Sequence, residues 1–388
     1  MTLGMAWTLE EWEANIAALP VLYRELFHRE LLPAETTAFA AWVGWHMREN
    51  GHDLAWVRAQ LLNSPEGRLH HDGPAPSPDV RVIRVTDERD GAFVHRMYGY
   101  WSNAWVSGRW AYVFAGHADG RPRCFKVDLE SGDVERDTFH APYLGTTEGW
   151  SWTADGQITL CEGSRLLTAN PFTGGAIVQT DISVTHPGCD LWQAHASDDG
   201  RVHTATVRRT VSDGAYPKIG TIVVRDGQQT FYAAQGDLDE SAADPSGRFV
   251  IIKEEFQRDK KRLDNRILDL QSGADNWIRD EDGAFGHSDM GDGCIVGEDD
   301  QIGACVLMDL RTRARRVLFS SWNMGHVSVR GNRCLGSDDT RLYDVRLDGS
   351  GRTALHAHGS GEITGANLDP SGRVGCYVSN GVVYLLRL

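Results

Sequence analysis

From Val80 to the C-terminus the chain alternates apolar and polar residues in short runs, and each run stops at a turn rich in Gly, Asp, Asn or Ser. "WAYVFAGHADG", "GQITLCEG", "GRVHTATVRR", "GTIVVRDG", "GRFVIIKEEF", "NRILDLQSG" and "RVGCYVSNGVVYLLRL" all follow this grammar. A period of two places successive side chains on opposite faces, the mark of a β-strand. Three segments superimpose: "LWQAHASDDGRVHTATV", "ESAADPSGRFVIIKE" and "ITGANLDPSGRVGCYVS". In each, a strand runs into a Ser/Asp-x-x-Gly turn and a second apolar strand follows. A unit of roughly 40–50 residues holding four such strands predicts a β-propeller.

The heads of the repeats set the number of blades. Tyr98, Glu148, Asp190, Asp239, His287, His326 and Glu362 stand at equivalent positions, with steps of 50, 42, 49, 48, 39 and 36 residues. Seven blades fit residues 80–388, with six or eight as the alternatives. The last repeat holds chain for only three strands, whereas "VRVIRV" at 80–85 is a lone strand ahead of the first. It is expected to complete the final blade and so close the ring, which removes an exposed sheet edge.

Residues 1–70 follow another grammar. "TLEEWEANIAAL" opens with a Thr-x-x-Glu capping box at Thr8 and Glu11, and three more segments carry apolar residues at helical spacing. A small all-α module is expected there, joined to the propeller by the proline-rich linker 71–79.

Composition narrows the partners. A formal charge of −15 opposes a nucleic-acid or anionic-membrane surface, and no apolar run is long enough to insert in a membrane. The N-terminus lacks the basic and apolar regions of a secretion signal. The 7 cysteines are odd in number and form no Cys-x-x-Cys pair, so they are expected as buried thiols.

In a propeller the repeat heads are neighbours around one axis. These heads are polar or aromatic, which points to a ligand in the mouth of the channel. Tyr98, Tyr100 and Trp101 are either core aromatics or a sugar-stacking platform. Glu148, Trp150, Asp190, Trp192, Asp239 and Glu240 are candidates for substrate binding. His287 and His326, together with Asp289 or His195, could hold a divalent metal (Ca, Mn or Zn), or could tie strand ends together by hydrogen bonds. Of Arg208 and Arg209, which end a strand, one should point inward and the other to solvent. The tract 254–265, "EEFQRDKKRLDN", reads as a solvated hairpin.

The heads "GHSDMGDG" and "GHVSVRG", with "YGYWSNAWVSGRWAYVFAG" opening the array, resemble the seven-bladed propeller polysaccharide lyases: the oligogalacturonate, ulvan and rhamnose-glucuronate lyases. The resemblance covers roughly residues 80–388. It implies β-elimination on a uronate-containing glycan at the funnel, with His, Tyr and Arg around the mouth and often a bound metal. Where such lyases carry a His pair early in the array, this chain has Glu148 and Trp150.

β-Elimination needs a cation on the uronate carboxylate, a base for the C5 proton and an acid for the departing oxygen. By chemical type, Arg208 with a metal or a protonated His suits the first role, His195 or His287 the second, and Tyr98 or Tyr100 the third. If the enzyme were instead a glycosidase, the acid and base would come from Glu148, Asp190, Asp239 and Glu240. The alternative from a different class is a non-catalytic propeller that binds glycan or serves an assembly. Residues 20–68 resemble a short helical module of bacterial extracellular and phage tail proteins. That likeness implies docking to another protein and a place outside the cell or on a phage particle.

Overall fold

The alternating runs form sheets because their period matches the pleat. In the computed structural model the described residues are 56–58, 60, 81–91, 93, 104–117, 122–136, 150–209, 217–257, 262–278, 286–299, 304–320, 324–338, 341–349, 352–357 and 363–388. The chain divides into two units, one of residues 1–75 with 320–322 and one of 76–319 with 323–388. In the first, residues 56–58 are helical and Val57 is buried. The four helices expected over 1–70 otherwise lie outside the described residues.

The second unit contains seven four-stranded antiparallel sheets, the blades of a propeller. Blades I to VI begin with the inner strands Ala104–Ser107, Ser151–Trp152, Cys189–Ala196, Asp237–Ala243, Gly286–Gly291 and Met324–Arg330. Blade VII takes its three inner strands from Ile363–Leu368, Val374–Ser379 and Val382–Arg387, and its outer strand is Arg81–Arg84 from the start of the array. Register pairs run from Arg81↔Arg387 to Arg84↔Tyr384, so the two ends of the array are joined by backbone hydrogen bonds. Apolar clusters fill the spaces between neighbouring blades. Between blades I and II the filling is aromatic: Trp105 stacks on Trp152 at 5.6 Å, and Trp150 lies 5.7 Å from Phe114.

Two turns recur because the same few residues solve the same geometric problem. Between inner and second strands stand Thr153–Gly156, Ser197–Gly200, Asp244–Gly247 and Asp369–Gly372, each closed by the glycine N–H donating to the first residue's carbonyl. Between third and outer strands, Asp128, Asn170, Asp269 and Asp309 each accept two following backbone N–H groups on one side-chain oxygen. The chain then passes through a left-handed residue, Gly132, Gly174 or Gly273 in three blades. In blade V that place belongs to Arg313, at φ 62°.

The cysteines are all free thiols, with Cys124, Cys189, Cys305, Cys334 and Cys376 buried and Cys161 and Cys294 half-buried. The tract 254–265 forms the hairpin expected of it, with its tip 258–261 outside the described residues, but its base is not solvated. Glu254, Asp264 and Asn265 are fully buried, because they stand in the two central strands of blade IV. Glu254 Oε2 accepts the N–H groups of Gln235 and Gly236 and so ties down the connection from blade III.

Candidate functional site

Every inner strand from blade III to blade VII has a register shift near its start: between Trp192 and His195, Leu238 and Glu240, Gly286 and Asp289, Met324 and Val327, and Thr364 and Asn367. A bulge of this kind re-aims the side chains beside it. Asp239, His287 and His326 all lie inside such a bulge, so Gly-His recurs where the bulge of the repeat recurs. The side chains of His287 and His326 lie outside the described residues, as do Tyr98, Tyr100, Trp101 and Glu148.

The polar residues just past the bulges bind the next blade. His195 Nδ1 accepts the Ala243 N–H at 3.1 Å, joining blades III and IV. Asp289 Oδ2 accepts the Val329 N–H at 2.6 Å, joining V and VI. Ser328 Oγ accepts the Leu368 N–H at 3.0 Å, joining VI and VII. Between blades IV and V the bond comes from Lys253, whose Nζ donates to Glu240 Oε1 at 2.6 Å and to the Ser288 carbonyl at 3.1 Å. Between II and III, Thr159 Oγ1 meets His203 Nδ1 at 3.2 Å.

Burial sets the ionisation of these groups. Desolvation lowers His195 to about 3 and His203 to about 4, so both rings are neutral over the physiological range. Desolvation also raises Asp289, to about 6, and raises Glu240 against the opposing pull of Lys253. His195 is 2% exposed, so the base role fails on access. Glu240 is 1% exposed and salt-bridged, so it is a seam group rather than a substrate contact. Trp150 is likewise 1% exposed and belongs to the aromatic core.

Asp289 does not fit a metal. Its Oδ1 and Oδ2 accept the N–H groups of Met290 and Val329, and the Arg330 guanidinium lies 3.5 Å away. Among the described residues no group of three or more His, Cys, Asp or Glu side chains is placed to hold a metal ion.

Where the inner strands end, charges from distant blades meet. Arg330 of blade VI is 6% exposed and lies 3.4 Å from Asp198 of blade III, three blades around the ring. Neighbouring turns are also linked there: Ala154 N–H donates to the Asp198 carbonyl, and Asp198 N–H to that of Pro245.

The opposite face, where the inner strands begin, is different. Asp190 pairs with Arg208, Trp192 with Thr206, and Arg208 with Lys218 across the strands of blade III. Residues directly opposite or two apart share a face, so these five side chains point the same way. That way is toward blade IV, because Lys218 Nζ donates to the Asp239 carbonyl and lies 3.8 Å from the Asp239 carboxylate. The Trp192 ring has the Arg208 guanidinium carbon 5.3 Å and the Lys218 ammonium 4.9 Å from its centre. Trp192, Arg208, Lys218, Asp190 and Asp239 are all half-buried, and Arg209 on the other face is exposed. Gln193, next to the tryptophan, holds φ 53° and accepts the Thr206 hydroxyl proton at 3.3 Å. A non-glycine residue in that region marks strain kept by its surroundings.

Of the residues expected at a mouth site, the structure therefore brings together Asp190, Trp192, Arg208 and Asp239. It adds Lys218, which the sequence reading missed. Strand alternation alone would not have found it: a register shift between Val207 and Arg208 sets Lys218, rather than Ile219, opposite Arg208. Lys253, His203 and Arg330 were missed too, and nothing in a strand's own pattern separates a buried lysine from an exposed one.

No family model matches the chain, and no curated protein matches it. Among solved structures it is similar to an oligogalacturonate lyase in complex with manganese, at TM-score 0.54 and 15% identity over 80% of this chain and 91% of that one. It is also similar to a puromycin-hydrolyzing peptidase of Mycobacterium tuberculosis, at TM-score 0.51 and 12% identity over 74% of this chain and 52% of that one. The likeness is one of fold, a propeller of this size.

Proposed function

We propose that this propeller binds an acidic, uronate-containing glycan at the mouth over blades III and IV, and acts on it as a polysaccharide lyase. The observation that carries the reading is the half-exposed Trp192 ring with Arg208 and Lys218 against it. An aromatic face suits the C–H face of a sugar ring, and two cations beside it suit a carboxylate on the same ring. The solved oligogalacturonate lyase is consistent with that class of substrate. In the elimination, Arg208 and Lys218 neutralise the carboxylate and make the C5–H acidic. A base takes that proton, the C4–O4 bond breaks as the C4=C5 double bond forms, and an acid protonates the departing oxygen. Tyr98, Tyr100 and His287 are the groups assigned to base and acid. We place the protein outside the cell or on a phage particle, with residues 1–70 as its docking module.

A non-catalytic glycan-binding propeller is the second reading. It is favoured by the use of His195, Glu240 and Asp289 as seam groups. One experiment addresses both. The protein is titrated calorimetrically with oligogalacturonate, glucuronate-containing oligosaccharides and a neutral glucan, while ultraviolet absorbance follows the unsaturated chain ends. Acidic glycan should bind, with Trp192→Ala and Arg208→Ala each weakening binding about tenfold or more, near 1.4 kcal/mol. Rising absorbance selects the lyase, and binding without it selects the second reading. Unchanged affinity in both variants would remove the mouth site.

A further inference from the structure

We propose that the cleft between the outer parts of blades III and IV is a separate saccharide site that takes a short neutral oligosaccharide. It uses none of the mouth residues. The third strand of blade III, Lys218–Arg225, turns into the outer strand, Gln228–Ala233, through Asp226 and Gly227, both left-handed at φ 49° and 76°. Such a two-residue turn fixes the register. Arg225 then pairs with Gln228, Val223 with Thr230, and Thr221 with Tyr232. Gln228, Thr230 and Tyr232 are therefore presented on one face, and that face looks onto the hairpin 268–275 of blade IV across a cleft of about 410 Å³. The volume lies within the range of small-molecule sites, roughly 300–1,000 Å³.

The charges around this cleft are answered within the protein. Arg248 holds Asp269 by two hydrogen bonds of 3.2 and 2.8 Å, and Arg266 holds Asp275 by two of 2.9 and 2.6 Å. Arg201 holds Asp226 by two of 3.0 Å, and Arg225 donates to the Leu270 carbonyl at 2.5 Å with its Nε 3.8 Å from the same Asp226 carboxylate. A charged ligand would have to compete with these internal pairs for its counter-charge at solvent-exposed side chains, where an ion pair contributes little. A polyhydroxylated neutral ligand meets no such cost. Paired carboxylates keep lone pairs for hydroxyl protons, the exposed Gln228 amide and Thr230 hydroxyl both donate and accept, and Tyr232, with the Arg266 guanidinium 5.6 Å from its ring centre, offers the remaining half-buried edge of its ring. Alternate side chains on a strand stand about 6.7 Å apart, so the amide–hydroxyl–aromatic ladder spans about 13 Å. That length asks for an oligosaccharide rather than a single sugar.

The test is saturation-transfer NMR and calorimetry on the full chain with neutral cello-, malto-, xylo- and galacto-oligosaccharides. At least one should bind saturably at millimolar concentration or below. Tyr232→Ala should weaken it about tenfold or more, Gln228→Ala, an exposed position that leaves folding intact, should weaken it several-fold, and Trp192→Ala should leave it unchanged. The proposal falls if no member of the panel binds, if binding survives both Tyr232→Ala and Gln228→Ala, or if Trp192→Ala abolishes it. Acidic-glycan binding measured in parallel separates failure here from failure at the mouth.

Discussion

The two ends of this propeller use the same residue types to opposite effect. Where the inner strands end, Arg330 is buried among aspartates from blades III and V, and its neighbours bond one turn to the next. Where the inner strands begin, Arg208 and Lys218 stand half-exposed beside an aromatic ring. Charge in a channel is therefore no sign of a site by itself. What separates the ends is exposure: Arg330 is buried against carboxylates of two blades, whereas Arg208 and Lys218, the latter bonded to the Asp239 carbonyl, are half-buried and meet solvent as well.

That contrast is broken most severely at the seam between blades IV and V. Lys253→Met leaves Glu240 buried without its cation and should cost about 3–5 kcal/mol of stability. Chemical denaturation would show the loss, and the double variant Glu240→Leu/Lys253→Met should recover most of it. If the single change costs less than about 1 kcal/mol, the pair does not hold the seam. By contrast Arg208→Ala at the mouth should move stability little, within about 0.5–1 kcal/mol.

Acid separates the buried groups by sign. His195 and His203 are lowered in the folded state, so below pH 6.5 the unfolded chain takes protons that the folded one refuses, and stability is lost as pH falls. Asp289 is raised to about 6, so the folded state takes its proton first and gains stability as pH falls from about 6 toward 4. Asp289→Asn removes that compensation. Its stability should drop more steeply than wild type between pH 7 and 5, by about 1 kcal/mol. Parallel slopes in thermal unfolding would overturn the assignment.

The smallest effect tests the repeat itself. Arg313 occupies the left-handed position that Gly132, Gly174 and Gly273 fill in other blades. Arg313→Gly should raise stability by about 0.5–1 kcal/mol, since an L side chain is strained there. A lower melting temperature would mean that the arginine side chain contributes more than its backbone costs.

The candidate site was only partly legible. Trp192, Arg208 and Asp239 stood out because they interrupt apolar strands near the repeat heads. The same rule also selected His195, Glu240 and Trp150, which the fold buries. A strand's alternation says which residues share a face but not which face meets a neighbouring blade, nor how close that blade lies. The bulges compound this, since a one-residue shift redirects every side chain beside it.

The sequence by itself determined the strands, their turns and the count of seven blades, because these depend on contacts between residues near one another in the chain: period-two alternation, aspartate-capped turns and left-handed glycines. Tertiary structure alone decided which polar groups became partners. His195 meets Ala243, Asp289 meets Val329, and Asp198 meets Arg330 across intervals that no local pattern encodes. It decided likewise that Arg208, Lys218 and Asp239 would converge on Trp192. Whether a charge is sealed within the fold or also meets solvent depends on what surrounds it in space, and the closing of the ring is what sets those surroundings.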